Sequence, residues 1–170
     1  DSSFAEVKTL WADAFLPLER NGIRYRLYSP KAIQPRPLIL FLHGGGETGD
    51  DNRKQVFDCF GAAKLAEDYP DCYVLAPQAK GGIPTSLQLN NFKKMTFHTS
   101  HLGPATGWTR EYLAGICDLI REMITDGRVN PARVYVTGMS MGGGGTLTAM
   151  SVGADLFAAA VPICPTMTPD

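Results

Sequence analysis

The chain has 170 residues, 44% of them hydrophobic and 19% charged, with a formal net charge of −1. That is enough apolar material for a globular domain with a real core. Charges of both signs are interspersed without long runs, so nothing points to nucleic acid or an anionic membrane surface, and no apolar run approaches the roughly 20 residues that span a bilayer. A small neutral or weakly charged molecule is the expected partner.

No repeat or low-complexity linker appears, so residues 1–170 read as one domain. The chain begins at Asp1 with neither a methionine nor a basic-then-apolar leader. A secreted or periplasmic protein that has lost its signal peptide is the expectation, with the cytoplasm as the alternative. Ile23 to Tyr28 alternates Ile, Tyr and Leu with Arg, the period-two pattern of a half-buried strand near a sheet edge. Pro30 to Pro37 breaks the chain. Leu38 to Leu42 is uniformly apolar, as expected of a strand covered on both faces, and runs straight into His43-Gly44-Gly45-Gly46. A helix is expected across about Arg53 to Glu67, and Tyr73 to Ala76 reads as a second buried strand ending at Pro77.

From Lys80 to Thr109 the sequence is rich in Gly, Pro, Ser, Thr and Asn and lacks periodicity, which reads as a long functional loop. Arg110 to Thr125 places Leu113, Ile116, Cys117, Ile120, Met123 and Ile124 at helical spacing, and Asp126-Gly127 stops that helix. Asn130-Pro131 starts a turn and Val134 to Thr137 is a third buried strand. Gly138 to Gly145 leads it through a tight turn into a helix near Ser140 to Val152. A last strand follows at Ala158 to Ile163. Strands alternating with helices specify a three-layer α/β sandwich around a mostly parallel sheet.

Four cysteines, Cys59, Cys72, Cys117 and Cys164, show no CxxC pair and no histidine at ligand spacing, so no metal site is expected. Buried thiols are the simple reading. A Cys59 to Cys72 bridge would suit an exported protein, but the sequence does not assign it. No nucleotide, flavin or other cofactor signature is present.

Gly138-Met139-Ser140-Met141-Gly142 fits the G-x-S-x-G pattern, and it lies between a β-branched strand and a small-residue helix. In that setting the serine occupies a strained turn that pushes its hydroxyl clear of the sheet, and the glycines two residues away make room for neighbouring backbone. Ser140 then stands at a helix N-terminus, whose dipole and unpaired N–H groups favour a developing oxyanion. A phosphate loop would need a Gly-Lys-Ser/Thr ending, which is absent, and a dinucleotide loop would open on the first strand. The turn at Ser140 is therefore read as a nucleophile elbow. The N–H groups of Gly44 or Gly45, with that of Met141, are the candidate oxyanion donors; losing one such donor typically costs about 3 kcal/mol. His43 is expected to brace the glycine loop and not to act as the general base. His98 and His101, in the long loop, read as surface or pocket-lining residues, and Trp108 either closes the core or touches ligand.

These residues resemble the carboxylesterases of the α/β-hydrolase superfamily, akin to feruloyl and acetyl esterases and polyhydroxybutyrate-depolymerase-like enzymes. The resemblance runs from about Gly22 to Cys164. It is carried by Tyr25 to Tyr28, by Leu42 to Glu47 with Asp51-Asn52, by Leu75 to Gln78, by Gly107 to Thr109, by Asn130 to Gly143 and by Phe157 to Cys164. It implies hydrolysis of a small-molecule ester through an acyl-enzyme on Ser140, without a cofactor. It also implies an acid and then a histidine after the serine in chain order. No histidine follows Ser140 in this sequence, and Asp170 is the candidate acid within it. The expectation is that residues 1–170 form the front part of the fold, lacking its last strands and helices, with the missing triad members beyond Asp170 or on a second fragment. A prolyl-oligopeptidase-type peptidase shares the same elbow but usually carries a separate domain ahead of it. A non-catalytic binding module is the alternative if the chain is complete.

Overall fold

The computed structural model describes residues 10–33, 35–81 and 107–166. Two strands open the fold, Leu16–Arg20 (β1) and Ile23–Tyr28 (β2), followed by Arg36–Leu42 (β3) and a 3₁₀ turn at Gly45–Glu47. Two helices, Lys54–Phe57 (α1) and Gly61–Asp68 (α2), precede Tyr73–Pro77 (β4). Arg110–Thr125 (α3), Val129–Met139 (β5), Met141–Val152 (α4) and Ala159–Ile163 (β6) complete the described elements. The strands form one sheet in the order β1-β2-β4-β3-β5-β6. The β1/β2 and β2/β4 pairs are antiparallel, and β3/β4, β3/β5 and β5/β6 are parallel. This is the expected three-layer α/β arrangement with a mostly parallel sheet.

Side-chain alternation along the central strands builds the two outer layers. Leu38, Leu40 and Leu42 of β3, with Tyr73 and Leu75 of β4, pack on the face covered by Leu113, Ile116, Ile120 and Met123 of α3 and Ala149 of α4. Phe41, Val74 and Ala76 face the other way, onto Phe15, Val56, Ala62 and Ala66. Neighbouring residues of a strand point to opposite faces, so β3 and β4 must be apolar throughout. Full burial of each of the four α3 side chains contributes roughly 1.5–3 kcal/mol. Thr109 caps this helix, its hydroxyl accepting from the Tyr112 N–H at 3.2 Å.

Several expectations are corrected. β2 lies near a sheet edge as expected, but an unforeseen strand, β1, pairs outside it through a two-residue turn at Asn21-Gly22, where φ is 51° and 75°. Positive φ at both positions is what a tight hairpin turn of the primed kind demands. The single helix expected over Arg53 to Glu67 is two helices, interrupted at Asp58 to Phe60. Gly61 there abuts the Phe41 ring so closely that a Cβ would overlap it, and that seat sets where α2 begins. β5 starts earlier than expected: Val129 pairs with Arg36, the register then shifts, and Leu38 pairs with Val134. Asn130 still makes its turn inside that irregularity, its side-chain oxygen accepting from the Ala132 N–H. Cys59 and Cys117 are buried as expected, but Cys59 and Cys72 are not bridged and Cys164 is exposed. Cys164 follows β6, whose residues alternate between exposed and half-buried, with Val161 60% and Ile163 44% exposed. No described helix is long and apolar enough to cross a membrane.

Candidate active site

The parallel strands β3 and β5 are adjacent and in register from Leu38/Val134 to Leu42/Gly138. Their carboxyl ends therefore bring the His43-Gly44-Gly45 segment beside the Met139-Ser140-Met141 turn. Clefts at the carboxyl ends of parallel strands are where folds of this kind bind ligands. Ser140 is exposed and is the N-cap of α4, with φ 57° and ψ −114°. A side chain at that φ is strained, of order 1–3 kcal/mol, and persists only where the surroundings hold it. Here they do. The Ser140 N–H donates to the Ile163 carbonyl at 3.0 Å, and its own carbonyl accepts from Gly144 and Thr166 N–H groups, each at 3.1 Å.

The two flanking glycines are needed for contact. A Cβ on Gly138 would overlap the Gly142 carbonyl and lie 2.6 Å from that of Leu42; one on Gly142 would overlap the Leu42 carbonyl and lie 2.6 Å from that of His43. Strand, turn and helix start are thus pressed backbone to backbone. Across the cleft, a point one bond from the Gly44 Cα lies 3.9 Å from Ser140 Cβ, 3.6 Å from the Met139 carbonyl and 3.4 Å from Glu47 Oε2. Gly45 opens the 3₁₀ turn and Met141 opens α4, so neither N–H has a partner within its own helix.

His43 is fully buried. Its Nε2 accepts from the Ala79 N–H at 2.9 Å, which leaves the proton on Nδ1, 2.6 Å from the Gly44 carbonyl. Trp108, in the core, donates from Nε1 to the His43 carbonyl at 3.0 Å and packs on the imidazole with centroids 4.8 Å apart. Both nitrogens are occupied, so His43 braces the glycine loop and has no lone pair for a serine proton. Burial, against which the Gly44 hydrogen bond acts, lowers its pKa from 6.5 to about 4. Between those values the unfolded chain takes up a proton that the folded chain refuses. The stability this gives is whole above pH 6.5 and lost as pH falls to 4, about 3 kcal/mol in all. Urea denaturation of the native protein at pH 7 and pH 4 is expected to show that loss, and His43→Gln to lack it. Identical pH dependence in the two proteins would remove His43 as the source.

Sequence reasoning missed a second layer of bracing. Gln78, at the end of β4 and buried, donates to the Glu47 carbonyl at 3.0 Å and to Asp51 Oδ1 at 2.8 Å, and its oxygen accepts from the Asn52 N–H at 2.7 Å. Tyr112 donates to the Gln78 carbonyl at 2.6 Å. Asp51 also accepts from the N–H groups of Arg53 and Lys54, and these bonds with Gln78 hold its carboxyl below the usual range against a burial effect. The available signal was a glutamine directly after an apolar strand, since a buried amide must find partners. Glu47 was also passed over. Burial pushes its carboxyl up, while its own N–H and that of Gly44 pull it down.

His98, His101 and Asp170 lie outside the described residues. No group of described residues is arranged to hold a metal ion. Two surface cavities of about 560 and 510 Å³ are both lined by Gly22, Lys80 and Tyr112, and neither is lined by Ser140. The strained serine, not cavity size, marks the candidate site.

No protein-family model matches the chain. It is 31% identical over 127 residues to the poly(3-hydroxyalkanoate) depolymerase C of Paucimonas lemoignei, covering 75% of this chain and 27% of that protein. It is 27% identical over 129 residues to the poly(3-hydroxybutyrate) depolymerase of Ralstonia pickettii, covering 72% and 24%. Among solved structures, a thermostable esterase matches with a TM-score of 0.68 and 33% identity over 91% of this chain and 42% of that one. The chain has the α/β-hydrolase fold, and its relatives are polyhydroxyalkanoate depolymerases and an esterase of that fold. This α/β-hydrolase chain spans about a quarter of the length of the curated relatives it matches. An acetyl xylan esterase from Aspergillus awamori, 18% identical with a TM-score of 0.57, shares the α/β-hydrolase fold.

Proposed function

We propose that this α/β-hydrolase cleaves carboxylic esters through an acyl-enzyme on Ser140. The observation that carries the reading is the Ser140 backbone, held at φ 57° at the junction of β5 and α4 with the glycine loop of β3 beside it. A strained serine held clear of its sheet, next to N–H groups with no helical partner, is suited to attack a carbonyl and bind the resulting oxyanion. In this reading Ser140 Oγ bonds to the ester carbon, and the N–H groups of Met141 and of Gly45 or Gly44 stabilise the negative oxygen. The alcohol then leaves with the proton that the serine gave up, and water releases the acid. In this reading the histidine that carries that proton and its acid partner lie outside the described residues, with Asp170 a candidate for the acid. Small acyl or aryl esters are the proposed substrates. The names of the depolymerase relatives add hydroxyalkanoate polyesters as a further class.

A fluorophosphonate probe is expected to label the native protein, with the adduct mapping to the peptide that contains Ser140. p-Nitrophenyl esters are expected to turn over faster than aminoacyl amides. An active protein that takes up no probe would refute the acyl-enzyme, and faster turnover of the amides would refute the ester preference.

A further inference from the structure

Glu47 stands at the oxyanion end of the candidate site. A point one bond from the Gly44 Cα lies 3.4 Å from its Oε2 and 3.9 Å from Ser140 Cβ, so carboxylate and serine flank the same small volume. The carboxylate is held there from several sides. Its residue closes the 3₁₀ turn, the Glu47 N–H reaches the Gly44 carbonyl at 3.4 Å, and Gln78 donates to the Glu47 carbonyl. Its side chain is 20% exposed, and Oε2 lies 3.8 Å from His43 Nδ1. His43 is neutral and gives no counter-charge. Among the described residues no lysine or arginine pairs with Glu47, although other carboxylates of the chain do have such partners. The backbone N–H groups of Glu47 and Gly44 bond to this carboxylate, but among the described residues no cationic side chain offsets its charge, so its field reaches the cleft, where limited solvent screens it weakly.

A negative charge at this position opposes the developing oxyanion, so it is not there to speed the chemistry. It can discriminate. A site rejects a competitor by placing an unfavourable charge against it, and like-charge repulsion in a half-buried cleft is worth more than in bulk water. Resting on the ester-hydrolase reading, we propose that Glu47 is a specificity-determining residue that excludes esters carrying a negative charge within a few bonds of the reacting carbonyl. The site is thereby restricted to neutral and cationic esters. For a polyester chain this disfavours the bond next to a free carboxylate end and favours interior bonds.

The test compares p-nitrophenyl butyrate with mono-p-nitrophenyl glutarate, which are close in size and differ in one carboxylate, on the native full-length protein and on its Glu47→Gln and Glu47→Asp variants at pH 8. The native protein is expected to prefer the neutral ester in kcat/KM by about tenfold or more, Glu47→Asp to keep most of that preference, and Glu47→Gln to bring the ratio within about threefold of unity. A purely structural role for Glu47 would change both esters together and leave the ratio alone. An unchanged ratio in an active Glu47→Gln protein overturns the inference. On the native protein alone, 3-carboxyphenylboronic acid is expected to inhibit about tenfold more weakly than phenylboronic acid, and equal inhibition overturns the inference without any variant. If the native protein turns over neither ester, the ester-hydrolase reading falls, and this inference with it.

Discussion

Ser140→Ala is expected to lower kcat/KM for p-nitrophenyl butyrate by about 10⁴-fold or more while the protein stays folded. The loss follows from removing the only atom that forms the acyl bond; residual turnover would come from the oxyanion donors and substrate binding. Stability should barely move, because alanine keeps a Cβ at φ 57° and so keeps the strain, and the serine hydroxyl makes no capping hydrogen bond to α4. Ser140→Gly separates the two contributions. It is equally inactive, yet relief of the left-handed strain is expected to raise unfolding free energy by about 1 kcal/mol despite the added flexibility of the unfolded chain. Steady-state kinetics and urea denaturation of both variants check this. Native-like turnover by Ser140→Ala would remove Ser140 as the nucleophile, and a glycine variant less stable than the alanine one would show that the turn stores no strain.

The parts of this molecule that were legible in the sequence are those fixed by local chemistry. The turn at Ser140 could be read because glycines two residues either side answer contacts made within one strand–turn–helix unit. Ile23–Tyr28 and Arg110–Thr125 were bounded correctly because each shows an unbroken period. β1 was missed although Asn21-Gly22 is a strong hairpin signal, because all five of its residues are exposed and carry no burial pattern. The break between α1 and α2 answers Gly61 meeting Phe41, a contact across two layers that no helical period records. Gln78 and Glu47 escaped for a related reason. Their roles are set by partners 31 residues apart that meet only once β3 and β4 are paired. His43 was readable as a brace from its place ahead of the glycines, but the Ala79 N–H that fixes its tautomer was not.

Gly142→Ala is expected to destabilise the protein by more than about 3 kcal/mol, well beyond the usual cost of one added methyl. The ordinary cost assumes that neighbouring side chains can shift. Here the new Cβ would overlap the Leu42 carbonyl oxygen and come within 2.6 Å of the His43 carbonyl, both main-chain atoms where β3 gives way to the glycine loop. Leu42 is paired to Gly138 in the centre of the sheet and its side chain is fully buried, so β3 cannot retreat without breaking its ladder to β5. The alternative is for α4 to lift away, which would uncover Ala149 and the α3 face beneath it. Either movement also carries Ser140 and the Met141 N–H away from Gly44, so activity is expected to fall with stability. Gly46→Ala is the matched control, since a Cβ there meets nothing within 4 Å, and its stability is expected within about 0.5 kcal/mol of native. Urea denaturation and the soluble yield of the two variants decide the matter. Recovery of Gly142→Ala only as insoluble protein beside a soluble Gly46→Ala agrees with the predicted overlap, whereas coincident unfolding curves would mean that β3 and α4 do not meet backbone to backbone at the serine turn.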